Sequence, residues 1–173
     1  MGFKIIGIIL ILSSGTLIGW YISLQYIKRI KQLNELQLAI NFLDAEISFN
    51  QTLLKDALEK VATRINYPLS EIFNNSAREL SLKKGISFNI IWDKEVNKNF
   101  EINSLREEDK QILLEWGHKL GTTGVEKQEK INKLISKKLE LEQKNAREQA
   151  DKRVKLSRYT GVLLSLLIII LFY

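Results

Sequence analysis

The sequence predicts an all-α protein: a helical bundle of about six helices with a long two-helix stalk, flanked by an N-terminal and a C-terminal transmembrane helix. Three observations lead there. Apolar residues between the chain ends recur at intervals of three and four, and no alternating run is long enough for a confident strand. Gly124 to Arg158 contains no proline or internal glycine and is rich in Lys, Glu, Gln and Leu, all strong helix formers. Both ends are apolar, in IIGIILILSSGTLIGWYISLQY (Ile5–Tyr26) and GVLLSLLIIILFY (Gly161–Tyr173). The division expected is 1–26 for the first span, 27–158 for a cytoplasmic helical domain and 159–173 for the second span.

Ile5–Tyr26 holds no charge over about twenty-two residues, enough at about 1.5 Å per residue to cross a hydrocarbon core. Trp20, Tyr21 and Tyr26 suit the headgroup level at its inner end. The competing reading is a cleaved signal peptide with Lys4 as its basic region, but no A-x-A-like site follows. Tyr159–Tyr173 covers only about 22 Å as a helix, so Lys155 and Arg158 would have to snorkel; a buried hydrophobic helix is the alternative.

Between the spans each segment reads as helix. Arg29–Phe49 carries Ile30, Leu33, Leu36, Ile40, Leu43 and Ile47 on one stalk face. Thr52 is placed to cap a second helix with Leu54, Ala57, Leu58, Val61 and Ala62 inward. Pro68 suits the first turn of a third, using Leu69, Ile72, Phe73, Ala77 and Leu80 and ended by Gly85. Ser87 is the expected cap of a short fourth helix with Phe88, Ile91, Trp92 and Val96, and Asn97–Ser104 reads as a loop. Ser104 and Glu107 have capping-box spacing before a fifth helix with Leu105, Ile112, Leu113, Trp116 and Leu120. Gly121-Thr122-Thr123-Gly124 is the turn into the last helix, whose face is Ile131, Leu134, Ile135, Leu139, Ala146, Ala150 and Val154. Antiparallel packing of the first and last helices would bury both stalk faces, each Leu or Ile contributing roughly 1.5–3 kcal/mol.

The formal charge of +6 does not point to nucleic acid. Basic and acidic residues are interleaved, and the surplus gathers beside the apolar ends at Lys28, Arg29, Lys31, Lys152, Arg153, Lys155 and Arg158, as at a membrane surface. The same placement predicts a cytoplasmic central domain with both termini across the membrane. The absence of Cys excludes disulfides and thiolate metal sites, and the single His118 excludes a His cluster. GTTG lacks the following Lys-Ser/Thr of a phosphate loop. Glu107, Glu108 and Asp109 fit a helix dipole better than catalysis, and His118 reads as a surface or partner-facing residue. Trp20, Trp92 and Trp116 read as belt or core, and Glu126–Arg158 as a solvated helix face. No catalytic constellation emerges, so the chain is expected not to be an enzyme and to need no cofactor or metal.

Residues 36–73 and 105–131 carry a further pattern. Leu43-Asp44-Ala45-Glu46-Ile47, Thr52-Leu53-Leu54, Ala57-Leu58 and Pro68-Leu69-Ser70-Glu71-Ile72-Phe73 resemble stage III sporulation protein AB, as do Trp116-Gly117-His118-Lys119-Leu120-Gly121 and Gln128. Leu53 stands where that family usually has Pro, and Gly124 where Asp commonly follows the Leu-Gly turn. The resemblance implies a fold similar to the cytoplasmic domains of the inner-membrane platform proteins of type II secretion and type IV pili. It implies a place in the secretion-like channel complex joining mother cell and forespore, in the mother-cell membrane. The implied partners are the companion stage III sporulation ATPase (protein AA), other membrane subunits of the complex and membrane lipid. Glu46, Trp116, Leu120, Gly121 and Gln128 become candidate partner contacts because the pattern concentrates there. The alternative function is a membrane-anchored, self-associating helical scaffold or sensor, so a homo-oligomer stays open; strict a/d heptads would favour it, whereas the last helix spaces its apolar residues nearer four. A membrane hydrolase would need a catalytic group that the sequence does not offer.

Overall fold

A computed structural model describes residues 2–82, 85–120 and 125–172. Six helices follow one another: α1 (Gly2–Ser48), α2 (Leu54–Ala62), α3 (Leu69–Ser81), α4 (Phe88–Phe100), α5 (Glu107–Lys119) and α6 (Val125–Phe172). Among the described residues there is no strand. The chain divides into two compact units, one of 1–30 with 145–173 and one of 31–144. α1 and α6 are long enough, and apolar enough over their outer parts, to be candidate membrane spans.

In the 31–144 unit α1 and α6 run antiparallel. Gln37 donates to the Ser136 hydroxyl at 2.8 Å, Gln143 to the Leu33 carbonyl at 3.2 Å, and Asn132 to Asp44. Leu33, Leu36, Ile40 and Leu43 are buried along α1, as its spacing predicts, and Ile135 and Leu139 along α6. The short helices are tied to the same stretch of α1. The Gln32 side-chain amide donates to Asn103 at 3.1 Å while its oxygen accepts the Ser104 backbone N–H at 2.8 Å. Asn66, before α3, donates to Glu35. Ala57, Leu58, Val61, Leu69, Ile72, Phe73, Ala77, Ile91, Trp92, Val96 and Leu113 complete the core.

Several local expectations change. Thr52 does not cap α2: Leu53 holds the N-cap position, and Thr52, one residue outside it, donates its hydroxyl back to the Glu46 carboxylate on α1 at 2.9 Å. Neither Ser104 nor Glu107 forms the cap of α5. Arg106 precedes the helix, and its backbone N–H donates to buried Asp109 at 2.8 Å, which fills the reciprocal half of a capping box one turn in. Asn97–Phe100 is helical rather than loop, since buried Asn99 returns its amide to the Glu95 carbonyl at 2.8 Å. α3 stops at Ser81, with its last carbonyls met by Leu82, before Gly85 at φ 67°. Ser87 is the N-cap residue of α4, in extended backbone, without a side-chain cap bond. Leu134, expected inward, is 50 % exposed because the buried face of α6 runs through 128, 132, 135 and 139 instead. The expected turn Gly121–Gly124 lies outside the described residues.

Phe73→Ala should lower stability by about 3–5 kcal/mol, as for other large-to-small changes in a packed core, while Ile90→Ala, at an exposed position, should stay within about 0.5 kcal/mol. Urea unfolding followed by near-ultraviolet circular dichroism measures both; equal midpoints for the two variants would mean that Phe73 is not in the core.

Candidate functional site

Trp116, on α5, is fully buried with its ring against Trp92 (centroids 5.6 Å apart, near-perpendicular) and Phe73 (6.1 Å). Phe73 meets Trp92 edge-on at 5.3 Å, and Phe88 adds a tilted contact with Trp92 at 5.6 Å. Such edge-to-face pairs add about 0.5–1.5 kcal/mol to the burial of the rings. The Trp92 N–H donates to the Leu113 carbonyl at 2.9 Å. Gly117 lies under that indole, and a Cβ there would fall on the ring.

The opposite edge of Trp116 enters a polar network. Its N–H donates to the Asn132 side-chain oxygen at 3.1 Å, and Gln128 reaches the same oxygen at 3.3 Å. Asn132 then donates to Asp44, which also accepts the Ser48 hydroxyl at 3.3 Å. Residues of α1, α5 and α6 are thereby joined, and buried Asn132 and Gln128 have their amides engaged, as desolvated polar groups require. Leu120 is buried at the end of α5.

Glu46 forms a second node. Its carboxylate accepts from Lys60 at 2.6 Å and Thr52 at 2.9 Å, and its backbone carbonyl accepts the Thr52 N–H at 3.0 Å. These bonds close the turn between α1 and α2, where Gln51 has φ 50°. The turn holds Phe49 and Leu53 outward, 85 % and 74 % exposed. A groove of about 360 Å³ between the end of α2 and the start of α3 is lined by Glu59, Ala62, Thr63, Ser70, Glu71 and Asn74. The Lys60 ammonium, then the Thr52 hydroxyl and with less effect Asn50, hold the Glu46 carboxyl below its ordinary value, against the opposing effect of burial. Glu115, bonded to Lys119 and Lys138, is likewise lowered and links α5 to α6. His118 is a surface residue, its Nε2 2.7 Å from Asp93 Oδ1 on α4.

The family profile of stage III sporulation protein AB matches residues 4–173. The chain belongs to the stage III sporulation protein AB family. Stage III sporulation protein AB of Bacillus subtilis (strain 168) is 28 % identical over 168 residues, covering 97 % of this chain and 98 % of the relative. A solved structure of stage III sporulation protein AB superposes with a TM-score of 0.67 at 28 % identity, covering 73 % of this chain and 98 % of that one. This sporulation protein is an all-helical bundle with two long apolar terminal helices.

Of the five candidate partner contacts in this family member, Trp116, Leu120, Gln128 and Glu46 are all buried, and Gly121 lies outside the described residues. Trp116, Gln128 and Leu120 are interior residues, and Glu46 closes the turn from which Phe49 and Leu53 project. Asn132, Lys60 and the Glu115–Lys138 pair are not among the candidates that the sequence offers. Asn132 was findable: counting back from Leu139 and Ile135 in steps of four and three lands on 132 and 128, so both polar residues share the buried face.

Two outcomes follow. Asn132→Ala strands the buried Trp116 N–H and should cost about 1–3 kcal/mol from that group alone, whereas in a Trp116→Phe background the same change should cost clearly less; a double-mutant cycle without coupling would remove the network from the account. A carboxyl whose pKa is lower folded than unfolded stabilises the fold above its unfolded value near 4.5, and that contribution disappears as pH falls through the folded value. Glu46→Gln should therefore lower the melting temperature at pH 7 and make it fall less on acidification below about pH 4.5. Parallel wild-type and variant curves would count against the Glu46 staple.

Proposed function

We propose that this protein is a non-enzymatic membrane platform of the sporulation channel complex, docking the sporulation ATPase on the mother-cell cytoplasmic side. Anchoring by both terminal helices rests on their length and apolar composition, and the orientation on the basic residues flanking them. One observation carries the docking reading. The turn stapled by Glu46, Thr52 and Lys60 displays Phe49 and Leu53, and they are the most exposed large apolar side chains described in the 31–144 unit. A turn held by three hydrogen bonds to Glu46 and presenting two unburied apolar side chains is suited to anchoring in a partner's pocket.

The test is capture of the ATPase by the full-length chain in detergent at moderate salt. Phe49→Ser with Leu53→Ser should weaken binding by about tenfold or more, with helix content unchanged because neither side chain is packed. Leu134→Ser should leave binding intact. Absence of saturable binding to the wild-type chain would overturn direct docking.

A self-associating scaffold is the second reading, favoured by Leu134 and Leu141, both exposed and seven residues apart on α6. A concentration-dependent dimer lost in Leu134→Ser would favour it.

A further inference from the structure

In the unit of 1–30 and 145–173, small residues recur every fourth position on both helices. Gly15, Gly19 and Ser23 mark α1; Ser157, Gly161 and Ser165 mark α6. The two rows meet. A Cβ placed on Gly15 would land on the Ser165 hydroxyl, 2.7 Å from the Gly161 carbonyl oxygen and 3.2 Å from the Ser165 Cβ. On Gly19 it would lie 2.5 Å from the Ser157 carbonyl oxygen and 3.4 Å from the Gly161 Cα. On Gly161 it would strike the Gly15 carbonyl oxygen and come within 3.2 Å of the Gly19 Cα. Gly7, off the seam, meets nothing within 4 Å.

This is backbone against backbone, a closeness that only small residues permit. Ser23 and Ser165 are buried in the contact. Their hydroxyls donate within their own helices, to the carbonyls of Trp20 at 2.7 Å and Gly161 at 2.8 Å, and the Ser23 oxygen accepts from Arg158 Nε at 3.3 Å. Arg158 thus meets α1 at the level of exposed Trp20 and Tyr21, and exposed Tyr159 follows it on α6. An arginine among interfacial aromatics marks a membrane boundary. Away from the seam, Ile9, Leu10, Leu17, Leu164, Leu167 and Ile170 are exposed and apolar.

We propose that this glycine–serine seam makes the terminal helices a transmembrane hairpin within one chain. Each span takes the other as its partner, in place of the span of a second copy, and the outer faces are left to lipid. In hydrocarbon no hydrophobic effect drives helices together, so interlocking van der Waals contact along the seam has to select the pairing. Two spans of one chain also meet at a far higher effective concentration than spans of two chains. The inference rests on the membrane reading under Proposed function and is separable from ATPase docking.

The chain has no cysteine, so a Gly15→Cys/Ser165→Cys pair reports cleanly. The 3.2 Å between the two Cβ positions and the 2.7 Å from the Gly15 Cβ to the Gly161 carbonyl oxygen are both relieved by the slight opening of the seam that disulfide geometry requires. Mild oxidation of the full-length chain in membranes should give an intrachain disulfide: a monomer of about 20.0 kDa, lighter by two hydrogens. Adding Gly161→Leu should cut the yield by about tenfold, and adding Gly7→Leu should not. Independently, in the cysteine-free chain, Gly161→Leu should speed proteolysis of the membrane-embedded protein relative to Gly7→Leu. Disulfide-linked dimers, or no disulfide in protein that resists carbonate extraction, overturn the seam while the membrane reading stands. Protein released by carbonate overturns the membrane reading and the hairpin with it.

Discussion

Trp116 lies across two environments of the 31–144 unit. Its ring completes an aromatic cluster with Phe73, Trp92 and Phe88 among the short helices, while its N–H bonds to Asn132 in the seam between α1 and α6. An indole in such a position does two jobs at once: the ring supplies apolar area, and the N–H, which cannot be left dry, fixes orientation. The aromatic cluster alone would hold α3, α4 and α5 together without specifying how the long helices register against them. Asn132 supplies that register by bonding both Trp116 and Asp44. Burial of a polar network is weak evidence for stability but good evidence for uniqueness, because a slip of one turn would orphan every member.

The residues that make the family recognisable are of this kind. Glu46, Trp116 and Gln128 stand out in the sequence as functional candidates, and each is engaged inside the fold. Glu46 links this interior to the surface, since its bonds to Thr52 and Lys60 set the turn that carries Phe49 and Leu53. A buried position can therefore bear on the shape of an exposed turn, with no surface of its own.

Much of the helical organisation was legible because periodicity reports burial directly. Leu33, Leu36, Ile40 and Leu43 on α1, and Ala57, Leu58 and Val61 on α2, are buried on the faces that their spacing predicts. The caps were not legible in the same way. Thr52 and Ser104 have the right identity and position for local capping, yet the Thr52 hydroxyl goes to Glu46 and the Ser104 N–H to Gln32, seventy-two positions away. Capping depends on which residue lands at the helix boundary, and bonds such as these, made elsewhere in the fold, help set that boundary without leaving a local signature. Asn97–Phe100 reads as loop for a related reason: polar composition marks exposure, yet this stretch is helical and buries Asn99.

The sequence by itself determined the fold class, the two apolar ends, the basic flanks and the family, because each is a property of residue type and local spacing. Tertiary structure decided which polar residues became interior. It placed Asn132 and Gln128 on the buried face of α6 and turned Leu134 outward, a rotation of roughly one position that a run of mixed Ile, Leu, Asn and Lys does not distinguish. It also decided that the glycines and serines of the two ends face one another. Spacing of four puts small residues in a row on each helix, but only the antiparallel approach of the two backbones makes the rows a contact.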